Sequence, residues 1–154
     1  MGSTTTNHPW ILVVEDDDTL RRMLGVTLGK LGAVVCAPSA RAAAAELASR
    51  PPPSVVVTDV MMPGESGLDL VRKLHTEARF RGIPVVVLSA KSDPHSVVDG
   101  INAGARHYVT KPFKTSELVA KIERLLLHSA PTIAPPAPSM EDSLELEIVL
   151  DEPG

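Results

Sequence analysis

Several stretches of this chain are apolar at every position, and that constrains its fold more than any other feature. WILVV spans residues 10–14, AVVCA spans 33–37, VVV precedes Thr58 and Asp59, and IPVVVL spans 83–88. A strand with one face in water alternates apolar and polar residues. A strand that is apolar throughout must be covered on both faces, as in a parallel sheet. A weaker run, HYVT at 107–110, supplies a fifth strand.

Between these runs the period changes to that of a helix. From Thr19, apolar or small residues return every three or four positions at Leu20, Met23, Leu24, Thr27, Leu28 and Leu31, and Gly32 is placed to end that helix. Ser39 is positioned to cap the Ala-rich segment ARAAAAELASR. Leu68, Val71 and Leu74 form a third stripe, and Val97, Val98 and Ile101 a short fourth that ends near Gly104. Leu118, Ile122 and Leu125, flanked by Val119 and Leu126, form the last, with Thr115 or Ser116 as its cap. The chain therefore reads as βα repeated five times. Right-handed crossovers then place helices on both faces of one doubly wound parallel sheet.

A length of 154 residues suits one ordinary domain. Because 44% of residues are apolar but only 3% aromatic, the core must be aliphatic. The single cysteine, Cys36, rules out an internal disulfide and fits a reducing compartment; its apolar strand predicts an inert buried thiol. No apolar stretch approaches the roughly 20 residues of a membrane helix. Residues 1–9 read as a short polar leader without the parts of a signal peptide, so a cytoplasmic location away from membranes is expected.

The net charge of −4 is unevenly divided. Residues 131–154 hold six acids and no Lys or Arg, leaving thirteen acids against 15 bases in the remainder. The body lacks the basic stripe that non-specific nucleic-acid binding requires, so no direct nucleic-acid contact is expected. The organisation expected is the leader (1–9), a folded domain (10–128), and a Pro-rich linker with an acidic tail (129–154). The tail MEDSLELEIVLDEPG alternates Leu144, Leu146, Ile148 and Leu150 with Glu145, Glu147 and Val149. It reads either as a solvated segment or as a short strand that docks on a sheet edge.

Open parallel sheets bind ligands outside the carboxyl ends of their strands. The first strand ends in Glu15, Asp16 and Asp17, the third in Asp59, the fourth in Ser89, and the fifth just before Lys111. Carboxylates gathered at one rim repel each other unless a cation offsets them, which calls for a hard divalent ion with oxygen ligands, Mg²⁺ first. A carboxylate nucleophile beside a metal, a hydroxyl and a lysine is what phosphoryl transfer to an aspartate needs. Asp17 and Asp18 suit the N-terminus of the first helix better than the site. The five histidines show no metal-ligand spacing, and GKLG at 29–32 lacks the flanking residues of a phosphate loop.

From about residue 10 to residue 128 the chain resembles the receiver domain of two-component response regulators. ILVVEDD, VVVTDVMMPGESG, VVVLSA and GARHYVTKPF resemble that family's motifs in order and spacing. The resemblance implies a flavodoxin-like sheet of order 2-1-3-4-5. It makes Asp59 the phosphoacceptor, with Asp16 a direct ligand of Mg²⁺ (or Mn²⁺), Glu15 acting through water, and Met61 lending its backbone carbonyl. It also makes Lys111 and Ser89 the phosphoryl-stabilising pair, Ser89 and Tyr108 the switch, and the bond before Pro112 cis. The chain departs from the family's commoner forms in its Glu-Asp pair, where Asp-Asp is more usual, and in Ser89, where Thr is frequent.

The partners implied are a sensor histidine kinase or histidine phosphotransfer protein, a downstream protein effector, and a second copy of the chain upon phosphorylation. No enzymatic turnover is expected beyond slow self-hydrolysis. The alternatives are a receiver that is part of a longer regulator or hybrid kinase, and an aspartyl-phosphate phosphohydrolase. The last of these needs a general-acid Asp two residues after the nucleophile, where this chain has Met61.

Overall fold

In a computed structural model, residues 10–62 and 64–128 are described. The elements alternate as β1 (Trp10–Val14), α1 (Asp18–Leu28), β2 (Ala33–Ala37), α2 (Ala40–Ser49), β3 (Val55–Asp59), α3 (Gly67–Thr76), β4 (Val85–Ser89), α4 (Pro94–Ala103), β5 (His107–Thr110) and α5 (Thr115–His128). All strand pairs are parallel, in the order β2-β1-β3-β4-β5, so the fold is the flavodoxin-like one. The leader and the segment 129–154, with its docking-strand reading, lie outside the described residues.

Alternation along each strand separates two cores. Ile11, Val13, Val55, Val57, Val86 and Leu88 face α1 and α5, where they meet Leu24, Leu28, Leu118, Ile122 and Leu125. Leu12, Val14, Val56, Val85 and Val87 face the other way, against Ala43 and Leu47 of α2 and Leu70, Val71 and Leu74 of α3. The register keeps the faces consistent, with Val13 opposite Val57 and Val57 opposite Val86. β1, β3 and β4 are buried at all five positions, as their unbroken apolar runs predict.

The two outer strands differ. β2 is at the sheet edge and only Ala37 of it is fully buried, so Cys36 is exposed, contrary to the expectation of a buried thiol. The residue type was right for a strand, but which strand becomes an edge depends on topology. Local endings also moved. α1 stops at Leu28 with Gly29 as its cap, short of Gly32. α5 already includes Thr115 and Ser116, and Lys114 supplies the carbonyl that accepts from the Glu117 and Leu118 amides. β4 starts at Val85, two residues after Ile83.

Other caps follow the sequence. Asp17 accepts from the Leu20 amide and Asp18 sits in the first turn of α1, while Ser39 accepts from the Ala42 amide to start α2. Gly104 ends α4 at φ 122°, a conformation that suits glycine. Trp10 fixes the start of β1, its indole N–H donating to the Pro51 carbonyl at 2.9 Å with the Arg50 guanidinium over the ring.

Candidate functional site

Parallel strands bring their carboxyl ends to one rim, and three strand ends there supply the charged groups. Glu15 follows β1 directly and is 1% exposed, Asp59 closes β3 and is 4% exposed, and Asp16 beside Glu15 is exposed. Each can place a carboxylate oxygen so that the three lie within 4.8 Å of one another. Lys111, just past β5, reaches back across the rim. Its Nζ lies 3.2 Å from Asp59 Oδ1 and 3.3 Å from Glu15 Oε1.

Burial pushes the Glu15 carboxyl above the usual carboxylate range, and the nearby Asp59 adds to this. The Asp17 amide, which donates to Oε2 at 3.1 Å, and Lys111 oppose the rise without cancelling it. For Lys111, burial works against its charge, but Asp59 and Glu15 outweigh it and hold the ammonium above its ordinary value. Three carboxylates against one ammonium leave a negative excess at an oxygen-lined rim. That donor set fits a hard divalent cation, with Glu15, Asp16 and Asp59 as the residues that could hold it.

Ser89, fully buried at the end of β4, accepts from the Lys91 amide at 3.0 Å, and its carbonyl accepts from the Lys111 amide at 2.7 Å. The Tyr108 hydroxyl donates to the Lys91 carbonyl at 2.8 Å. Ser89, Tyr108, Lys91, Ser96, Asp99 and Val60 line a pocket of about 140 Å³ between the rim and α4. The Lys111–Pro112 peptide bond is cis. Met61, in the loop after β3, is 55% exposed.

Other contributors were not singled out from the sequence. Gly67, which the sequence places in the loop after Asp59, is the first residue of α3, and its amide donates to the Val60 carbonyl at 3.0 Å. A Cβ on Gly67 would sit 1.9 Å from the Asp59 carbonyl oxygen, so the helix can press against the backbone of Asp59 only because there is no side chain. Thr58, fully buried, donates its hydroxyl to the same carbonyl at 3.0 Å. Arg21 of α1 donates to the Glu15 carbonyl at 3.1 Å, bracing the turn that carries two of the acids. The local signal for Gly67 is its place one residue after Ser66, whose side chain accepts from the Asp69 amide to cap α3; nothing local marked Thr58 or Arg21.

Residues 11–123 match the family described as "Response regulator receiver domain". Among curated proteins, the chain is 37% identical over 121 residues to the phosphate regulon transcriptional regulatory protein PhoB of Klebsiella pneumoniae, covering 79% of this chain and 53% of that protein. It is 41% identical over 118 residues to the DNA-binding response regulator MtrA of Mycolicibacterium smegmatis, covering 75% of this chain and 50% of that protein. The chain thus matches about half the length of these relatives. Among solved structures, the BeF3-activated receiver domain of DrrB, from Thermotoga maritima, superposes with a TM-score of 0.69 at 36% identity. The match covers 77% of this chain and 97% of that one.

Proposed function

This chain belongs to the response regulator receiver domain family, and from that premise we propose that it is a phosphorylation switch whose acceptor is Asp59. Receiver domains of response regulators are phosphoacceptors rather than enzymes. The observation that carries the reading is the position of Lys111, with its ammonium between Asp59 and Glu15 at one rim.

In the proposed reaction a histidine kinase or phosphotransfer protein presents a phosphohistidine at the rim. An Asp59 carboxylate oxygen attacks phosphorus, the P–N bond breaks, and the imidazole nitrogen leaves with the bonding pair. Lys111 offsets charge on the phosphoryl oxygens. Mg²⁺, or Mn²⁺, would be held by Asp16, Asp59, the Met61 carbonyl and, through water, Glu15, and would neutralise charge developing on those oxygens. The longer Glu15 side chain still suits this role, because it would act on the metal through water.

The phosphoryl group adds charge near −1.5 to −2 by analogy with other phosphoryl modifications. Ser89 Oγ then donates to a phosphoryl oxygen and gives up the bond it accepts from the Lys91 amide. Since the Tyr108 hydroxyl is anchored on the Lys91 carbonyl, movement of that segment releases Tyr108 toward the pocket beside Ser89. The α4–β5 face thus has two arrangements, and phosphorylation favours one through its differential contacts. That face would carry the signal to a protein effector or to a second copy.

Labelling the full chain with acetyl phosphate and Mg²⁺ tests the assignment. A label lost in acid and in base is expected on the native protein and absent from Asp59→Asn. Undiminished labelling of that variant would refute it.

The half-length match favours a second reading of the output, in which this receiver is part of a longer regulator with a DNA-binding domain, as MtrA is named. Immunoblotting of source-cell extract decides it: a band well above 16.3 kDa supports the longer form. A phosphohydrolase finds no support, since Met61 replaces the general acid it needs.

A further inference from the structure

Three cations gather near the start of β5. Arg106 precedes the strand, while Lys121 and Arg124 lie three residues apart on α5 and so share one side of that helix. Among the described residues, none of the three is in an ion pair. Around α2 and α3, by contrast, Arg50, Arg72 and Lys73 are matched by Glu46, Asp69 and Glu65.

All three cations lie close enough to His107 to act on it. Burial first, and then Lys121, Arg106 and Arg124, hold its imidazole down to about 4, and its Nδ1 is buried without a hydrogen-bond partner. One turn beyond Arg124, Leu127 is 73% exposed. β5 is an outermost strand, so among the described residues nothing pairs with its outer side. With Glu117 one turn before Lys121 on the same side of α5, the face carries three cations against one acid, shows an exposed leucine and borders an open sheet edge.

The complementary chemistry is in the same chain. Residues 141–152 contain six acids and no base, with apolar residues at 144, 146, 148 and 150. Fifteen residues separate His128, the end of α5, from Leu144, and an extended chain of that length reaches about 50 Å. That exceeds the roughly 21 Å length of α5 itself. A tether of this kind raises the local concentration of the segment to about the millimolar range.

We propose that residues 141–152 dock in cis on the β5–α5 face. Their carboxylates meet Arg106, Lys121 and Arg124, and their apolar positions cover Leu127. A protein partner that uses this face must displace the segment first.

The test uses the ¹⁵N-labelled full chain with a nitroxide at Ser143→Cys in a Cys36→Ser background. At low ionic strength, amide signals of residues 106–109 and 121–127 should be lost. They should return when Glu145→Gln and Glu147→Gln are added, or in about 0.5 M salt, where the Debye length is only a few ångströms. Full intensity at those amides, or loss confined to another face, overturns the proposal. Equal loss in unlabelled-spin ¹⁵N chains mixed with spin-labelled ¹⁴N chains also overturns it, because the occupant is then a second copy. No phosphoryl step is involved, so this proposal and the switch reading fail separately.

Discussion

At the rim one ammonium faces three carboxylates, two of them almost fully buried. Buried charge is stable only when it is compensated, and breaking such a pair by removing one partner costs more than the pair itself contributes. Lys111→Ala should therefore lower stability in metal-free buffer by about 1–3 kcal/mol, a range discounted from fully buried pairs because Lys111 is 24% exposed. The same change should tighten Mg²⁺ binding, since the remaining carboxylates have lost their competing cation. Urea melts with and without Mg²⁺ would show a larger metal-induced rise in midpoint for the variant than for the native chain. Equal rises would mean that Lys111 does not share the charge of this rim. The acids and the lysine were legible in the sequence because each stands at the carboxyl end of a strand-like run. Arg21 was not, because its partner carbonyl lies six residues back across a turn, and Thr58 was not, because a hydroxyl bonded to the next carbonyl leaves no pattern in the sequence.

Among the elements, α3 is the one most tightly bound to the site. It starts at Gly67, against the backbone of Asp59, and leaves no room for a methyl group. In Gly67→Ala the added Cβ meets main chain, which cannot rotate away, so the whole N-terminus of the helix must shift. Overpacking of this kind typically costs about 1–3 kcal/mol. The prediction is a loss in that range by chemical denaturation, with amide shifts that include Asp59 and Val60. Native-like stability with unmoved Asp59 resonances would contradict the close approach. In the sequence this glycine looked like part of a loop, because a helix start and a loop end are both places for Gly, and only the position of α3 distinguishes them. The edge strand shows the same limit. AVVCA is as apolar as WILVV, yet β2 is half-exposed, since a run of residues carries no record of how many neighbours its strand will have. The three central strands and the caps Asp17 and Ser39 were legible because burial on both faces and capping are both local in origin.

For the molecule as a whole, the groups shifted by folding set how stability changes with pH. His107 is the most displaced of those with a stated value, from 6.5 down to about 4. Above pH 6.5 the imidazole is neutral in both states and contributes nothing. As pH falls from 6.5 toward 4, the unfolded chain takes up a proton that the folded chain refuses, so stability declines across that window. Each unit of displacement corresponds to about 1.4 kcal/mol, so the full loss approaches, at most, about 3 kcal/mol. The two shifted groups at the rim have different signs or windows. Glu15, raised from 4.5 by burial, holds its proton more tightly when folded, so it adds stability as pH falls through the range just above 4.5 and partly masks the histidine. Lys111 is raised from 10.5, and its contribution is lost only in alkali. The separation comes from His107→Val, which puts a β-branched residue suited to a strand at this position, removes the proton site and leaves Glu15 in place. Subtracting its stability–pH curve from that of the native chain should leave a flat line above pH 6.5 and a native deficit that grows toward pH 4. If the two curves run parallel through that window, the imidazole titrates equally in both states and the cations around β5 do not act on it.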